Sequence, residues 1–185
     1  MKATGIVRRI DDLGRVVIPK EIRRTMRIRE GDPLEIYTDR EGEVIFKKYS
    51  PIGELASFAA QYAETLYKTC SLSVVICDRD AVIACAGVPR KDYNEKALSQ
   101  ELEQIIEGRN LYVHTNGADW ISVLAEGGSH TVNCAMPIIS EGDIVGCVAS
   151  VVDCATEEKC DVPSAEVESK LIQTAAIFLG KQLES

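Results

Sequence analysis

Five arginines near the start of the chain have the chemistry to bind phosphate groups: Arg8, Arg9, Arg15, Arg23 and Arg24. A guanidinium is planar, stays charged and donates hydrogen bonds in pairs, which suits phosphate oxygens and the edge of guanine. The five lie in a basic segment, since residues 1–29 contain nine Lys and Arg against three Asp and Glu. Charge alone favours a merely solvated surface, because short basic stretches are common on proteins. The surrounding residues therefore decide between the two interpretations.

The segment 14–26 is predicted to hold three of these arginines on a compact scaffold. Residues 16–18 form a short apolar strand, and Pro19 can begin a helix because its fixed φ suits the first helical position. Arg15 then precedes the strand, and Arg23 and Arg24 lie one turn into the helix. A strand at 5–10 and a turn at 11–14 are predicted before this segment.

Two further strands are predicted at 34–37 and 44–49, joined by a hairpin turn at 39–43. About fifty residues with four strands and one short helix make too small a core to be stable alone without a metal, disulfides or a partner subunit. The segment contains no cysteine, so dimerisation is the expected route. A two-fold pairing would place two copies of the arginines on one molecule.

Residues 4–19 contain the run Asp-Asp-Leu-Gly-Arg-Val-Val-Ile-Pro at 11–19, and shorter motifs follow at 21–24, 31–32 and 34–37. These motifs give residues 1–50 a resemblance to the AbrB family of transition-state regulators. It implies a swapped-hairpin fold, in which two chains interleave into one small β-barrel, and an activity of DNA binding and transcriptional control.

The resemblance also implies which residues contact DNA. The family's DNA-contacting arginines correspond to Arg8, Arg15, Arg23 and Arg24, and Arg9 stands where the family tends to have a basic residue. A short helix and strand edges offer few side chains for reading bases, so phosphate contacts and DNA shape are expected to dominate recognition.

An amphipathic helix is predicted over residues 51–71, because apolar residues recur there at steps of three and four. It is expected to pack on its own domain, to pair with its copy in the dimer, or to do both.

The remaining residues, 72–185, are predicted to form an α+β domain in which helices cover an antiparallel sheet. The predicted strands are 72–77, 81–86, 111–114, 120–125, 131–138 and 145–152, and the predicted helices are 94–107 and 164–183. The phrase 135–148 resembles a GAF domain, a small-molecule and signalling module.

The GAF resemblance implies a ligand between the sheet and the loops over one face. Residues 87–91, Trp120 and residues 127–130 are the candidate lining, although no motif matches the cyclic-nucleotide-binding subset. The alternative is a ligand-free domain used only for oligomerisation. Apolar stripes on the helices at 52–70 and 167–179 favour assembly of dimers into a homotetramer.

Composition limits the other possibilities. The net charge of −8 is uneven: residues 1–50 carry 12 Lys and Arg against 9 Asp and Glu, whereas residues 51–185 carry 9 against 20. An anionic partner is therefore expected only at the N-terminal end. No apolar run approaches the length of a membrane span and no signal peptide is recognisable, so a cytoplasmic protein is expected.

Seven cysteines, an odd number without C-x-x-C spacing, argue against a complete disulfide framework and against a zinc site. Cys77, Cys85, Cys134 and Cys147 fall in apolar runs and are expected to be buried. Redox sensing by Cys154 or Cys160 is the alternative role for a cysteine here.

No nucleophile elbow, phosphate loop or metal-spaced cluster is present, so no enzyme activity, cofactor or metal is predicted. The predicted organisation is a DNA-binding domain at 1–50, a connecting helix at 51–71 and a regulatory and oligomerisation domain at 72–185. The predicted function is a homo-oligomeric regulator of transcription, acting as activator, repressor or both. The alternatives are an antitoxin with the same barrel and a disordered toxin-binding tail, or a small-molecule sensor that acts through protein partners.

Overall fold

The computed structural model describes residues 4–115, 117–153 and 163–184. The chain divides into two compact units, Met1–Tyr49 and Ser50–Ser185, called below the N-terminal unit and the C-terminal unit. Among the described residues, no helix is both long and apolar enough to cross a bilayer.

The N-terminal unit contains one short helix, α1 (Lys20–Thr25), and one hairpin of β1 (Leu34–Thr38) and β2 (Val44–Lys48). The strands are antiparallel, with Ile36 opposite Phe46. The connecting turn is stabilised by Asp39, whose carboxylate accepts the backbone N–H groups of Glu41 at 3.0 Å and Glu43 at 2.9 Å. The predicted hairpin is therefore confirmed.

The strands predicted at 5–10 and 16–18 are not formed in the single chain. A strand exists only as part of a hydrogen-bonded ladder, and β1 and β2 pair with each other. Apolar side chains of these two segments are correspondingly exposed, with Val7 at 84% and Val17 at 72%.

The C-terminal unit is an α+β domain, as predicted, with one five-stranded sheet and helices on both faces. The strands are β3 (Val74–Cys77), β4 (Val82–Ala86), β5 (Tyr112–Val113), β6 (His130–Ser140) and β7 (Asp143–Asp153). They lie in the order β4-β3-β7-β6-β5, and all neighbours are antiparallel. The helices are α2 (Pro51–Glu54), α3 (Ala56–Cys70), α4 (Arg90–Tyr93), α5 (Gln100–Glu107) and α6 (Ala165–Leu183).

The two-residue alternation of the strands builds two separate cores. On one face of the sheet, residues such as Val74, Ile76 and Val148 pack with residues of α3 and α6, among them Ala63 and Ile172. On the other face, Tyr93 of α4 and Leu102 and Ile106 of α5 pack with a different set of strand residues: Val75, Cys85, Val132, Ala149 and Val151.

Several element boundaries differ from the predictions. The helix predicted over 51–71 is broken at Leu55, which ends α2 and begins α3, and the poor helix former Gly53 precedes the break. The helix predicted from 94 begins at Gln100, because Glu95 and Lys96 instead exchange backbone hydrogen bonds with Val82.

The segment predicted as a strand at 120–125 makes only isolated bridges, Ser122 to Thr131 and Leu124 to Leu98. The strands β6 and β7 extend beyond the predicted 131–138 and 145–152. The longer pairing is anchored by the turn at Glu141 and Gly142, where both φ angles are positive.

The burial predicted for four cysteines is confirmed, since Cys77, Cys85, Cys134 and Cys147 are buried free thiols. Burial raises the pKa of the Cys134 thiol to about 11. Cys154 and Cys160 lie outside the described residues.

Candidate nucleic-acid interface

A tight turn at residues 11–15 positions Arg15. The backbone N–H of Asp11 donates to the carbonyl of Arg15 at 3.0 Å, and that of Gly14 donates to the carbonyl of Asp11 at 3.1 Å. Gly14 has a φ of 76°, a left-handed conformation that glycine adopts without strain. The chain therefore reverses within five residues and leaves Arg15 at the end of the loop.

The Asp11 side chain completes this turn. Its Oδ1 accepts the backbone N–H groups of Leu13 at 3.0 Å and Arg15 at 2.8 Å. Its Oδ2 accepts Nε–H of the Arg15 guanidinium at 2.7 Å. The hydrogen bonds from the Arg15 backbone and then from its guanidinium hold the pKa of Asp11 below its usual value. Asp11 is therefore an ionised carboxylate at neutral pH.

The short helix α1 carries Arg23 and Arg24. Pro19 is the residue just before the helix, with φ −58° and ψ 149°, so helical geometry begins at Lys20 and not at the proline itself. Both arginine side chains are exposed. The helix ends at Thr25, and Met26 follows as its C-cap. Arg27 then takes a left-handed φ of 52°, and the N–H of Ile28 donates to the carbonyl of Arg23 at 2.8 Å.

Lys48 on β2 and Asp32 in the loop between α1 and β1 contact the segment that follows α1. Lys48 Nζ donates to the carbonyl of Arg27 at 2.8 Å and lies 3.4 Å from Asp32 Oδ2. Asp32 also accepts the backbone N–H of Arg29 at 2.8 Å, and its side chain is only 4% exposed. This connection ties the segment that follows α1 to β2, and so restrains the C-terminal end of the helix that carries Arg23 and Arg24.

Arg8 and Arg9 lie in the segment before the turn, and both are exposed. Arg8 makes one weak contact, from Nη1 to the carbonyl of Val7 at 3.4 Å. In the part of the chain that the structure describes, no carboxylate is paired with Arg8, Arg9, Arg23 or Arg24. The single chain thus presents the five predicted arginines on three separate segments: residues 4–10, the turn and α1.

Sequence reasoning missed the two carboxylates that organise this surface. Asp11 was assigned only to a turn, although its spacing of four residues from Arg15 across Gly14 is a usable signal. The burial of Asp32 depends on Lys48, which is sixteen residues further along the chain. Such a contact follows from the hairpin register and not from local sequence.

The predicted ligand-lining residues of the C-terminal unit are distributed over several places. Arg90 pairs with Glu64 on α3. Tyr93 packs edge-on against the His130 ring and bonds to its Nδ1 at 3.1 Å. Trp120 stacks on His114, with ring centroids 3.6 Å apart and planes 12° from parallel. These contacts do not join residues 87–91, Trp120 and residues 127–130 into one lining.

No group of three or more His, Cys, Asp or Glu side chains is arranged to hold a metal ion within residues 4–115, 117–153 and 163–184.

Two protein families match successive parts of the chain. Residues 7–53 match the family described as antidote-toxin recognition MazE, bacterial antitoxin. Residues 54–184 match the family described as stage V sporulation protein T C-terminal, transcription factor. The second match covers most of the chain.

Individual relatives agree with this division. The chain is 50% identical to stage V sporulation protein T of Bacillus subtilis (strain 168), over all of this chain and 99% of the relative. It is 65% identical over 51 residues to the transition state regulatory protein AbrB of the same organism, over 28% of this chain and 52% of the relative. The resemblance of residues 1–50 to the AbrB family is thus confirmed.

A solved structure of low identity is similar to part of the chain. The cofactor-binding GAF domain of the nutrient sensor CodY from Clostridium difficile is 14% identical, with a TM-score of 0.45 over 67% of this chain and 83% of that one. Taken together, the family match over residues 54–184 and the identity to a relative along its full length show that the chain belongs to the stage V sporulation protein T family of transcription factors.

Proposed function

We propose that this sporulation transcription regulator binds double-stranded DNA through Arg8, Arg9, Arg15, Arg23 and Arg24 of its N-terminal unit. The observation that carries the proposal is the exposure of all five side chains, four of them without a paired carboxylate among the described residues. Free guanidiniums on a fixed backbone can form charge-assisted hydrogen bonds to phosphates without first breaking internal ion pairs. The proposal is a binding function and assigns no reaction and no catalytic residue.

A dimer of N-terminal units is part of the proposal. Exposed apolar side chains are concentrated in the two segments that the sequence predicts as strands and in the turn between them: Ile6, Val7, Ile10, Leu13, Val16 and Val17. The hairpin adds Ile36, which is 61% exposed, and Phe46, which is 41% exposed. Interleaving two chains into one barrel would bury these side chains and pair the unpaired segments.

We also propose that dimers assemble into a homotetramer through α3 and α6. Phe58 and Tyr62 on α3 contact Phe178 on α6, with ring centroids 5.9 and 5.7 Å from that of Phe178. Phe178 is 40% exposed and its neighbour Ile177 is 56% exposed. An aromatic group shared by two helices and open on one side is typical of a helix-to-helix interface.

We propose the division at 1–50, 51–71 and 72–185 as a division of roles, which are DNA binding, connection, and regulation with oligomerisation. The helix α3, which makes up most of the connecting segment, packs on β3 and β4 of the C-terminal unit. It therefore belongs to the core of that unit, and its remaining exposed side chains are available for pairing with a second copy.

The C-terminal unit is proposed to respond to a small molecule as well. What supports this is the stack of His114 on the half-exposed Trp120, where the buried Nδ1 of His114 has no hydrogen-bond partner among the described residues. Trp120 is the single tryptophan of the chain, so its emission reports on this place. A change in emission with one class of added nucleotide or amino acid would support the site, and no change with any of them would contradict it.

The antitoxin alternative has one supporting observation, the family match of residues 7–53. It requires a disordered toxin-binding tail after the DNA-binding unit. From Ser50 onward the chain instead forms a unit with its own two-sided core, which favours the regulator.

The test of DNA binding is fluorescence anisotropy of the full-length protein on a promoter-length duplex. Arg23→Ala and Arg24→Ala are each expected to weaken binding by about fivefold or more. Arg40→Ala, in the turn between β1 and β2, is the matched control, because it removes the same charge from the same unit. Equal effects at Arg40 and at α1 would contradict a defined interface and indicate only a general effect of charge.

A further inference from the structure

The turn at residues 11–15 contains an ion pair whose function is separate from the turn itself. Asp11 uses one carboxylate oxygen, Oδ1, for the backbone N–H groups of Leu13 and Arg15. It uses the other, Oδ2, for the guanidinium of Arg15 at 2.7 Å. The backbone bonds shape the loop, whereas the side-chain bond acts only on the direction of the arginine.

The geometry of the pair leaves Arg15 able to bind a second anion. The carboxylate engages Nε, and the Arg15 side chain is still 69% exposed. The terminal N–H groups on both Nη atoms therefore remain available for phosphate oxygens. A carboxylate that bound both Nη atoms side by side would instead have occupied the face that a phosphate needs.

We propose that Asp11 is a positioning residue for DNA binding, which holds the Arg15 guanidinium by its Nε edge so that its Nη edge faces the phosphate backbone. This inference rests on the proposed function, in which Arg15 contacts DNA. An exposed arginine loses side-chain freedom when it binds, and a partner that orders it beforehand reduces that loss. Asp11 is the acidic residue that does this for Arg15.

The proposal predicts a sign opposite to that of simple electrostatics. Asp11 carries a negative charge next to the surface proposed to contact phosphates, so removing it should tighten DNA binding if only charge matters. If Asp11 orders Arg15, removing it should weaken binding instead.

The substitution Asp11→Asn separates the two effects. The asparagine oxygen can still accept the N–H groups of Leu13 and Arg15, so the turn is kept, but its amide nitrogen cannot accept Nε–H of Arg15. Asp12→Asn is the matched control, because Asp12 is adjacent, exposed and makes no side-chain bond or ion pair to another described residue. Both variants change the charge of the chain equally.

The experiment measures fluorescence anisotropy of the full chain on one duplex at one salt concentration. Five proteins are compared: wild type, the two Asn variants, Arg15→Ala, and Asp11→Asn combined with Arg15→Ala. Asp11→Asn is expected to bind about threefold to tenfold more weakly than wild type, and Asp12→Asn to bind as tightly or more tightly. In the Arg15→Ala background, Asp11→Asn is expected to cause no further weakening, because Asp11 then has no guanidinium to hold and only the effect of its charge remains.

Two results would overturn the inference while leaving the proposed function intact. One is Asp11→Asn binding as tightly as wild type, or more tightly, while Arg15→Ala weakens binding. The other is Asp11→Asn weakening binding equally in both backgrounds, which would show that the carboxylate acts on the turn alone. Absence of DNA binding by the wild type, or an Arg15→Ala variant that binds like wild type, would overturn the assignment of Arg15 and the positioning role together.

Discussion

The side-chain nitrogen of Asn133 on β6 lies 2.9 Å from both carboxylate oxygens of Glu168 on α6. Glu168 is only 4% exposed, and its Oε1 also accepts the hydroxyl of Ser150 on β7. A buried carboxylate is tolerated only when hydrogen bonds compensate for the lost water. These bonds connect α6 to two neighbouring strands and so fix the helix on the sheet.

Removing this carboxylate is expected to destabilise the C-terminal unit. Glu168→Ala leaves the half-buried Asn133 amide without this acceptor and the buried Ser150 hydroxyl with only the long bond to the carbonyl of Cys134 at 3.4 Å, which should lower the free energy of unfolding by about 2–4 kcal/mol. Urea unfolding followed by Trp120 emission measures this. Glu166→Ala is the control, because Glu166 is 79% exposed and, within the described part of the chain, pairs with Lys170 alone, and a change within about 0.5 kcal/mol is expected. Equal effects of the two substitutions would contradict the role given to Glu168.

Gly180 allows α6 to lie close to β6. A Cβ at this position would overlap the carbonyl oxygen of Ile139. In an isolated helix, Gly→Ala stabilises by about 1 kcal/mol, but here the helix would have to move away from the strand. Gly180→Ala is therefore expected to lower the urea midpoint of the C-terminal unit, and a raised midpoint would contradict the close packing. Thr174→Ala on the exposed side of α6 is the control, with an expected change within about 0.5 kcal/mol.

The buried thiols are expected to resist alkylation. The thiolate is the reactive form, and burial raises the pKa of Cys134 to about 11 and also raises that of Cys85. The pKa of Cys77 is raised by the side chain of Cys147 and by burial. Iodoacetamide at pH 8 should therefore label the partly exposed Cys70 much faster than these three, as measured by peptide mapping. Alkylation of Cys134 should speed up as the pH rises towards 11, because the thiolate fraction then increases. Labelling of Cys134 at the rate of Cys70 at pH 8 would show that the native core opens readily.

The dimer proposal predicts that an exposed residue is important for assembly. Val17 is 72% exposed in the single chain, so Val17→Asp should be harmless if the chain functions alone. If two chains interleave, the charge would be buried without a partner, and assembly should weaken. Light scattering distinguishes the two cases as multiples of the 20.3 kDa subunit. Arg40→Asp in the hairpin turn should keep the wild-type mass, and an unchanged mass for Val17→Asp would contradict the interleaved dimer.

The elements that the sequence predicted well are those whose signal is local. The hairpin turn at Asp39 and Gly42 depends on residues within a few positions of each other. The apolar periodicity of the sequence likewise predicts which face of α3 and which face of α6 is buried.

The elements that it predicted poorly depend on partners that are distant in the chain. The start of α5 shifted because Glu95 and Lys96 pair with Val82, and the strands at 5–10 and 16–18 lack a ladder within the single chain. At the candidate interface the arginines were selected by the resemblance to the AbrB family, because charge alone favours a solvated surface, and their contact with DNA stays a prediction. The carboxylates that hold the backbone and the guanidinium, Asp32 and Asp11, were not evident from the sequence, because a turn signal does not reveal which side chains it brings into contact.

The central claim is that the arginines of the N-terminal unit contact DNA phosphates, and the salt dependence of binding tests it most directly. Anisotropy of the full-length protein on a promoter-length duplex gives the association constant over a range of salt concentrations. If two copies of Arg8, Arg15, Arg23 and Arg24 each contact one phosphate, log K should fall against log salt with a slope of about −7. A slope near zero, or no binding at low salt, would contradict the claim.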